Sequence, residues 1–148
     1  MIKKIVTALE SGAQKEKRNN NYFMKHAELA ATMSYCKRSQ VGAVIVKNNR
    51  VICEGRNGTL KGSDNCCEEN ENSTKQEVVH AEINALSFSA RSGIATDGCI
   101  MYCTLTPCVE CAKAIIQSGI TKVYYKDTYR DSSGLELLKK HINVEEWK

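Results

Sequence analysis

A chain of 148 residues, 42% hydrophobic and 26% charged, has the balance of one water-soluble domain with its own core. No apolar run approaches a membrane span, and no export signal is visible at the start, so a cytoplasmic protein without a membrane partner is expected. A formal net charge of +4 is mild and suits a phosphorylated small molecule as well as nucleic acid; because it is scattered apart from Lys15–Arg18, with no clear basic-aromatic stripe, no nucleic-acid partner is expected.

In chain order, the first twenty residues are polar and read as a loosely attached lead-in to a single domain spanning 1–148. From Tyr22 to Tyr35 the spacing of Phe23, Ala27, Ala30, Ala31 and Met33 predicts an amphipathic helix. VGAVIV (Val41–Val46) reads as a buried strand, KNNR as a turn, and VICEG from Val51 as the hairpin partner. Arg56 to Thr74 has neither helical nor strand period, and a loop of that length in a compact domain is functional or disordered. A helix from about Ala81 ends before Gly93, and CIMYCTLT (Cys99–Thr106) is a strand leading straight into a helix that stops at Gly119. TKVYYK is a further strand, LELLKKH a helix, and INVEEW a last strand or tail. Helix, hairpin, then alternating helices and strands predict a three-layer α/β/α fold.

Eight cysteines without an export signal read as buried thiols and metal ligands rather than as bridges. TPCVEC places Cys108 and Cys111 one turn apart at a helix start, with Thr106 as cap and Pro107 in the first helical position. The helix dipole there favours thiolate, which suits a redox couple and a zinc pair equally. His80-Ala81-Glu82, at a second helix start, decides between them. One histidine and two cysteines make three ligands, and three ligands on tetrahedral zinc leave a position for water, the catalytic arrangement. Glu82 is placed to reach that water without ligating. A histidine two residues before a glutamate, with a later P-C-x-x-C, is a known signature of zinc deaminases. His26 and His141 read as surface or satisfied core residues.

At these residues the chain resembles the cytidine/deoxycytidylate deaminase superfamily and, within it, the deoxycytidylate (dCMP) deaminases. The resemblance runs from about Tyr22 to Trp147, on VGAVIV, RNGT, NCCEE, TKQEVVHAEINAL, MYCTLTPCVECAKAIIQSGITKVYY and YRDSSGLELL. It implies a mixed five-stranded sheet flanked by helices and hydrolysis of dCMP to dUMP and ammonia, supplying thymidylate synthesis. It implies His80, Cys108 and Cys111 as Zn2+ ligands and Glu82 as proton shuttle. For the substrate it implies Asn57 at the deoxyribose and Tyr129 beside the nucleotide, with Ala81 and Thr104 in the same pocket. Arg130 and Arg38 are the phosphate candidates, each with a surface ion pair as the alternative. A homo-hexamer activated by dCTP and inhibited by dTTP, each with Mg2+, is also implied. Gly62, Asp64 and Asn65 would be the effector contacts, and a mobile loop the alternative.

The chain departs from the family pattern at Leu60, which stands where proline often follows N-G-T. Some members hold a second zinc near Cys36 and Cys66, but Asn70 occupies the position of its histidine ligand, and plain thiols at Cys36, Cys66 and Cys67 are the alternative. Rival substrates sharing the zinc motif are dCTP, cytidine and a tRNA adenosine. A non-catalytic zinc module would instead require a fourth protein ligand.

Overall fold

The computed structural model describes residues 9–148. Its first helix, α1 (Gly12–Ala31), starts ten positions ahead of the expected Tyr22 and ends before Tyr35. A capping box explains the early start. The Ser11 hydroxyl accepts the Gln14 amide at 3.2 Å, and the Gln14 side chain accepts the Ser11 amide at 2.8 Å. The first turns carry no apolar period because polar side chains anchor them: Asn20 accepts the Tyr102 hydroxyl at 2.7 Å and Asn21 accepts the Trp147 indole N–H at 2.8 Å. Of the expected twenty-residue lead-in, residues 12–20 therefore form part of this helix, and residues 1–8 lie outside the described residues.

Strands β1 (Gly42–Lys47) and β2 (Arg50–Arg56) form the expected hairpin. Asn48 and Asn49 both have positive φ, 50° and 63°, the backbone that a two-residue turn needs to follow the strand twist. The sheet order is β2-β1-β5-β6-β7, with β5 at Ile100–Leu105, β6 at Lys122–Asp127 and β7 at Asn143–Glu146. β1 runs antiparallel to β2 and β5, whereas β5, β6 and β7 are mutually parallel neighbours. Parallel neighbours require crossovers, and α3 (Val109–Gln117) and α4 (Ser133–His141) supply them. Helix α2 (Ala81–Arg91) leads into β5.

Strand alternation separates two cores. Ala43, Ile45, Met101, Cys103 and Val123 face α2, α3 and α4 on one side. Val44, Val46, Tyr102 and Tyr124 face α1 on the other. The mixed five-stranded, three-layer α/β/α arrangement is the one expected. Close backbone approach sets where α2 starts: a Cβ at Gly55 in β2 would collide with the Ala81 carbonyl and the Ala85 amide. No helix among the described residues is long and apolar enough to cross a membrane.

The 56–74 stretch is more ordered than its lack of period suggested. It carries a small hairpin, β3 (Glu68–Asn70) with β4 (Ser73–Thr74), too short to print a pattern on the sequence. Cys36 is disulfide-bonded to Cys67, which corrects the expectation that the cysteines are thiols or ligands and takes Cys36 away from the second metal site with Cys66 that Asn70 already put in doubt. Neighbouring side chains on an extended segment point oppositely. Cys67 is therefore buried, while Cys66 is exposed with its thiol directed to the Glu68 carbonyl at 3.3 Å.

Candidate functional site

The exits of the parallel strands β5 and β6 and two helix starts meet at one end of the sheet, the crevice beyond the strand carboxyl ends where α/β sheets receive ligands. His80 is the N-cap of α2 and Cys108 the N-cap of α3, and neither side chain makes a capping hydrogen bond. Both are thereby released to converge, at the positive ends of two helix dipoles. This moves the start of α3: Thr106 is not its cap, and Pro107 precedes the helix. The Thr106 hydroxyl instead accepts the Tyr129 backbone N–H at 2.7 Å, tying the segment after β6 to the one that leads to Cys108.

His80 Nδ1 lies 3.5 Å from Cys108 Sγ and 3.4 Å from Cys111 Sγ, and the three donor atoms all fall within 4.8 Å of one another. Zn–S near 2.3 Å and Zn–N near 2.0–2.1 Å at a tetrahedral angle require an N···S edge of about 3.6 Å. The donor set and its spacing therefore fit zinc. Among the described residues this is the one His, Cys, Asp or Glu group so gathered, and no fourth protein ligand closes it.

The site's electrostatics follow from contact. Hydrogen bonds from Cys111 and His80 push Cys108 down to about 3, so it is a thiolate. The Cys111 thiol goes up, first because it donates to Cys108 and then because it is buried. Bonding to Cys108 raises His80 as well. Glu82, in the first turn of α2 and only 3% exposed, is raised by burial.

His80, Glu82 and Cys108 form one wall of a cavity of about 320 Å³. Asn57, Ala81, Tyr129, Arg130 and Arg38, all singled out from the sequence, line it with His80, Glu82 and Cys108. Asn57 also braces it: its carbonyl oxygen accepts Val41 N–H at 2.9 Å and its amide donates to the Ser39 carbonyl at 2.8 Å. Tyr129 is 40% exposed, with the Arg130 guanidinium 6.0 Å from its ring centre. Arg38 Nη1 donates to the Thr74 hydroxyl at 3.2 Å.

Thr104 is not brought to the cavity. It is buried in β5, and its hydroxyl accepts the Gly42 amide at 3.1 Å. Gly62, Asp64 and Asn65 do not line the cavity either. Gly62 has φ +91°, and Asp64 accepts the Cys66 amide and the Lys75 ammonium, which together hold its carboxyl below its usual value. Ser39, Val41, Thr74, Val78, Leu105 and Thr106 line the cavity without having been singled out for it. Only Thr106, beside the cysteine motif, carried a usable signal. The others arrive through loop closure.

Residues 17–127 match the family described as "Cytidine and deoxycytidylate deaminase zinc-binding region". The ComE operon protein 2 of Bacillus subtilis is 40% identical over 114 residues, covering 75% of this chain and 60% of that protein's length. The deoxycytidylate deaminase of enterobacteria phage T4 is 34% identical over 162 residues, covering 80% of this chain and 83% of its own. Among solved structures, the dCMP deaminase from cyanophage S-TIM5 in complex with dCMP and dUMP is similar. Its TM-score is 0.83 and its identity 41%, over 93% of this chain and 99% of that one.

Proposed function

Because this chain belongs to the cytidine and deoxycytidylate deaminase family, we propose that it hydrolyses dCMP to dUMP and ammonia. The observation that carries this reading is the convergence of His80, Cys108 and Cys111 beside the buried carboxyl of Glu82, in a cavity that also holds two arginines. His80, Cys108 and Cys111 would hold the zinc, which when bound would supply the Lewis acidity that brings a water's pKa towards neutrality.

Glu82 accepts the proton of the attacking water and delivers it to ring N3 as the oxygen adds to C4. The same carboxylate then takes the proton of the hydroxyl now on C4 and passes it to the amino group, which leaves as ammonia while C4–O becomes the carbonyl of dUMP. A pKa raised by burial lets one group act as base and then acid. The Ala81 amide, at the first position of α2, has no acceptor within the helix and can donate to the cytosine carbonyl. Asn57 spends one of its two amide hydrogens on Ser39, leaving the other for the deoxyribose. Tyr129 flanks the base, while Arg38 and Arg130 take the phosphate, where a guanidinium fork matches the oxygens.

The family resemblance extends the reading to a homo-hexamer whose dUMP feeds thymidylate synthesis, with dCTP activating and dTTP inhibiting as Mg2+ complexes on the loop of Gly62, Asp64 and Asn65. The test measures ammonia release from dCMP, deoxycytidine, dCTP and a tRNA anticodon stem side by side, with zinc content on the same sample. Preference for dCMP with one zinc per chain supports the reading, and equal turnover of deoxycytidine overturns the phosphate specificity. dCMP saturation curves that dCTP and dTTP leave unchanged and hyperbolic overturn the regulation.

A further inference from the structure

The segment carrying Arg38 to the cavity has no regular structure of its own, yet three separate contacts hold it. The Glu68 carboxylate in β3 accepts the backbone N–H of Lys37 at 2.7 Å and of Arg38 at 3.0 Å. Thr74 in β4 accepts the Arg38 guanidinium at 3.2 Å. The Cys36–Cys67 bridge stands immediately before both halves of the first contact, since Cys36 precedes Lys37 and Cys67 precedes Glu68. The β3–β4 hairpin therefore grips Arg38 at its backbone and at its side chain.

A carboxylate is an odd neighbour for an anion site, because its charge opposes the ligand. Here one oxygen takes two peptide N–H groups, which hold the carboxyl below its usual value, the Arg38 amide first. Its charge is thereby spent on the backbone, and the guanidinium is left for another anion. Among the described residues Arg38 has no carboxylate partner. An ordinary turn would explain the two amide bonds alone. It does not explain why the same hairpin also holds the guanidinium at the cavity.

Resting on the dCMP reading above, we infer that Glu68 is a positioning residue for substrate selection: through the Lys37 and Arg38 amides it fixes the Arg38 guanidinium where the 5′-phosphate of the nucleotide binds. It touches no substrate atom, so its effect appears only when the substrate carries a phosphate and Arg38 is present.

The experiment compares kcat and KM for dCMP and deoxycytidine in the zinc-loaded full chain and in Glu68→Ala, Glu68→Gln, Arg38→Ala and the Glu68→Ala/Arg38→Ala pair. Loss of charge-assisted bonds to phosphate raises KM for dCMP about tenfold or more in Arg38→Ala. Glu68→Ala raises it about three- to tenfold with kcat within about twofold, because the guanidinium remains but is no longer oriented. The double variant is no worse than Arg38→Ala, and deoxycytidine kinetics stay within about twofold throughout, since the two residues act as a unit on the phosphate. If Glu68→Ala does not fold, Glu68→Gln carries the test with about a threefold rise, since its neutral acceptor makes the weaker bonds. A dCMP KM near the parent value, an equal loss on deoxycytidine, or effects that multiply in the double variant each overturn the inference. A parent protein that releases no ammonia from dCMP overturns the functional reading itself, and the inference with it.

Discussion

Reducing the Cys36–Cys67 bridge is a clean perturbation because it changes no residue. The bridge spans a sequence separation of 31, and among the described residues it is the only covalent tie between the segment before β1 and the long loop. Closing a loop of that length removes about 12 cal/mol/K of entropy from the unfolded chain, or about 3.7 kcal/mol at 25 °C. For a domain of this size that corresponds to a fall of about 12 °C in Tm. The assay is urea denaturation of the zinc-loaded protein with and without a phosphine reductant, with intact mass reporting the bridge. Cys66→Ala serves as control, since the Cys66 thiol is exposed and outside the bridge, and it should leave the reduced–oxidised difference intact. A difference under about 1 kcal/mol, with the bridge present by mass, would refute the reasoning, because the unfolded chain would not be feeling the constraint.

Glu82→Gln should retain one zinc and lose turnover by about a thousandfold or more, in the upper range for a lost general acid–base; substantial residual activity sinks the shuttle role. The same variant carries a pH prediction for the metal-free protein. Burial raises the Glu82 pKa above its reference of 4.5, so the unfolded chain gives up that proton first and stability falls as pH rises from there. Metal-free Glu82→Gln should therefore be more stable than the parent at neutral pH, with the gap closing below about pH 4.5; a gap constant with pH would exclude burial as its cause. Gly55→Ala should cost about 1–3 kcal/mol and weaken zinc binding together, because its methyl group would press on the Ala81 carbonyl beside His80; equilibrium dialysis of zinc with thermal melts reads both. Thr106→Val should raise KM for dCMP by freeing the Tyr129 amide while leaving zinc content unchanged, and metal loss would instead place Thr106 in support of Cys108.

The strands and three of the helices were legible because each buries an apolar face with a regular period, as in VGAVIV and the α2 and α3 segments. The metal group was legible as the H-x-E and P-C-x-x-C signature of zinc deaminases, since the cysteine spacing alone also suits a redox couple. The N-terminal half of α1 was not, since asparagines reaching Tyr102 and Trp147 anchor it and the signal that starts it is a four-residue capping box. The hairpin β3–β4 was hidden by its brevity, and the partner of Cys36 by a choice between adjacent cysteines that residue order cannot make.

By itself, then, the sequence determined the layer order and singled out His80, Cys108, Cys111 and Glu82, because hydrophobic period and side-chain chemistry are local properties of the chain. The tertiary structure alone decided that His80 and Cys108 stand at helix N-cap positions with no capping hydrogen bond from their side chains, that Thr106 serves Tyr129, that Thr104 turns to Gly42, and that Glu68 reaches the backbone of Arg38. Those are contacts between segments distant in sequence. They exist only once the sheet has set where each loop ends, and no local pattern encodes that distance.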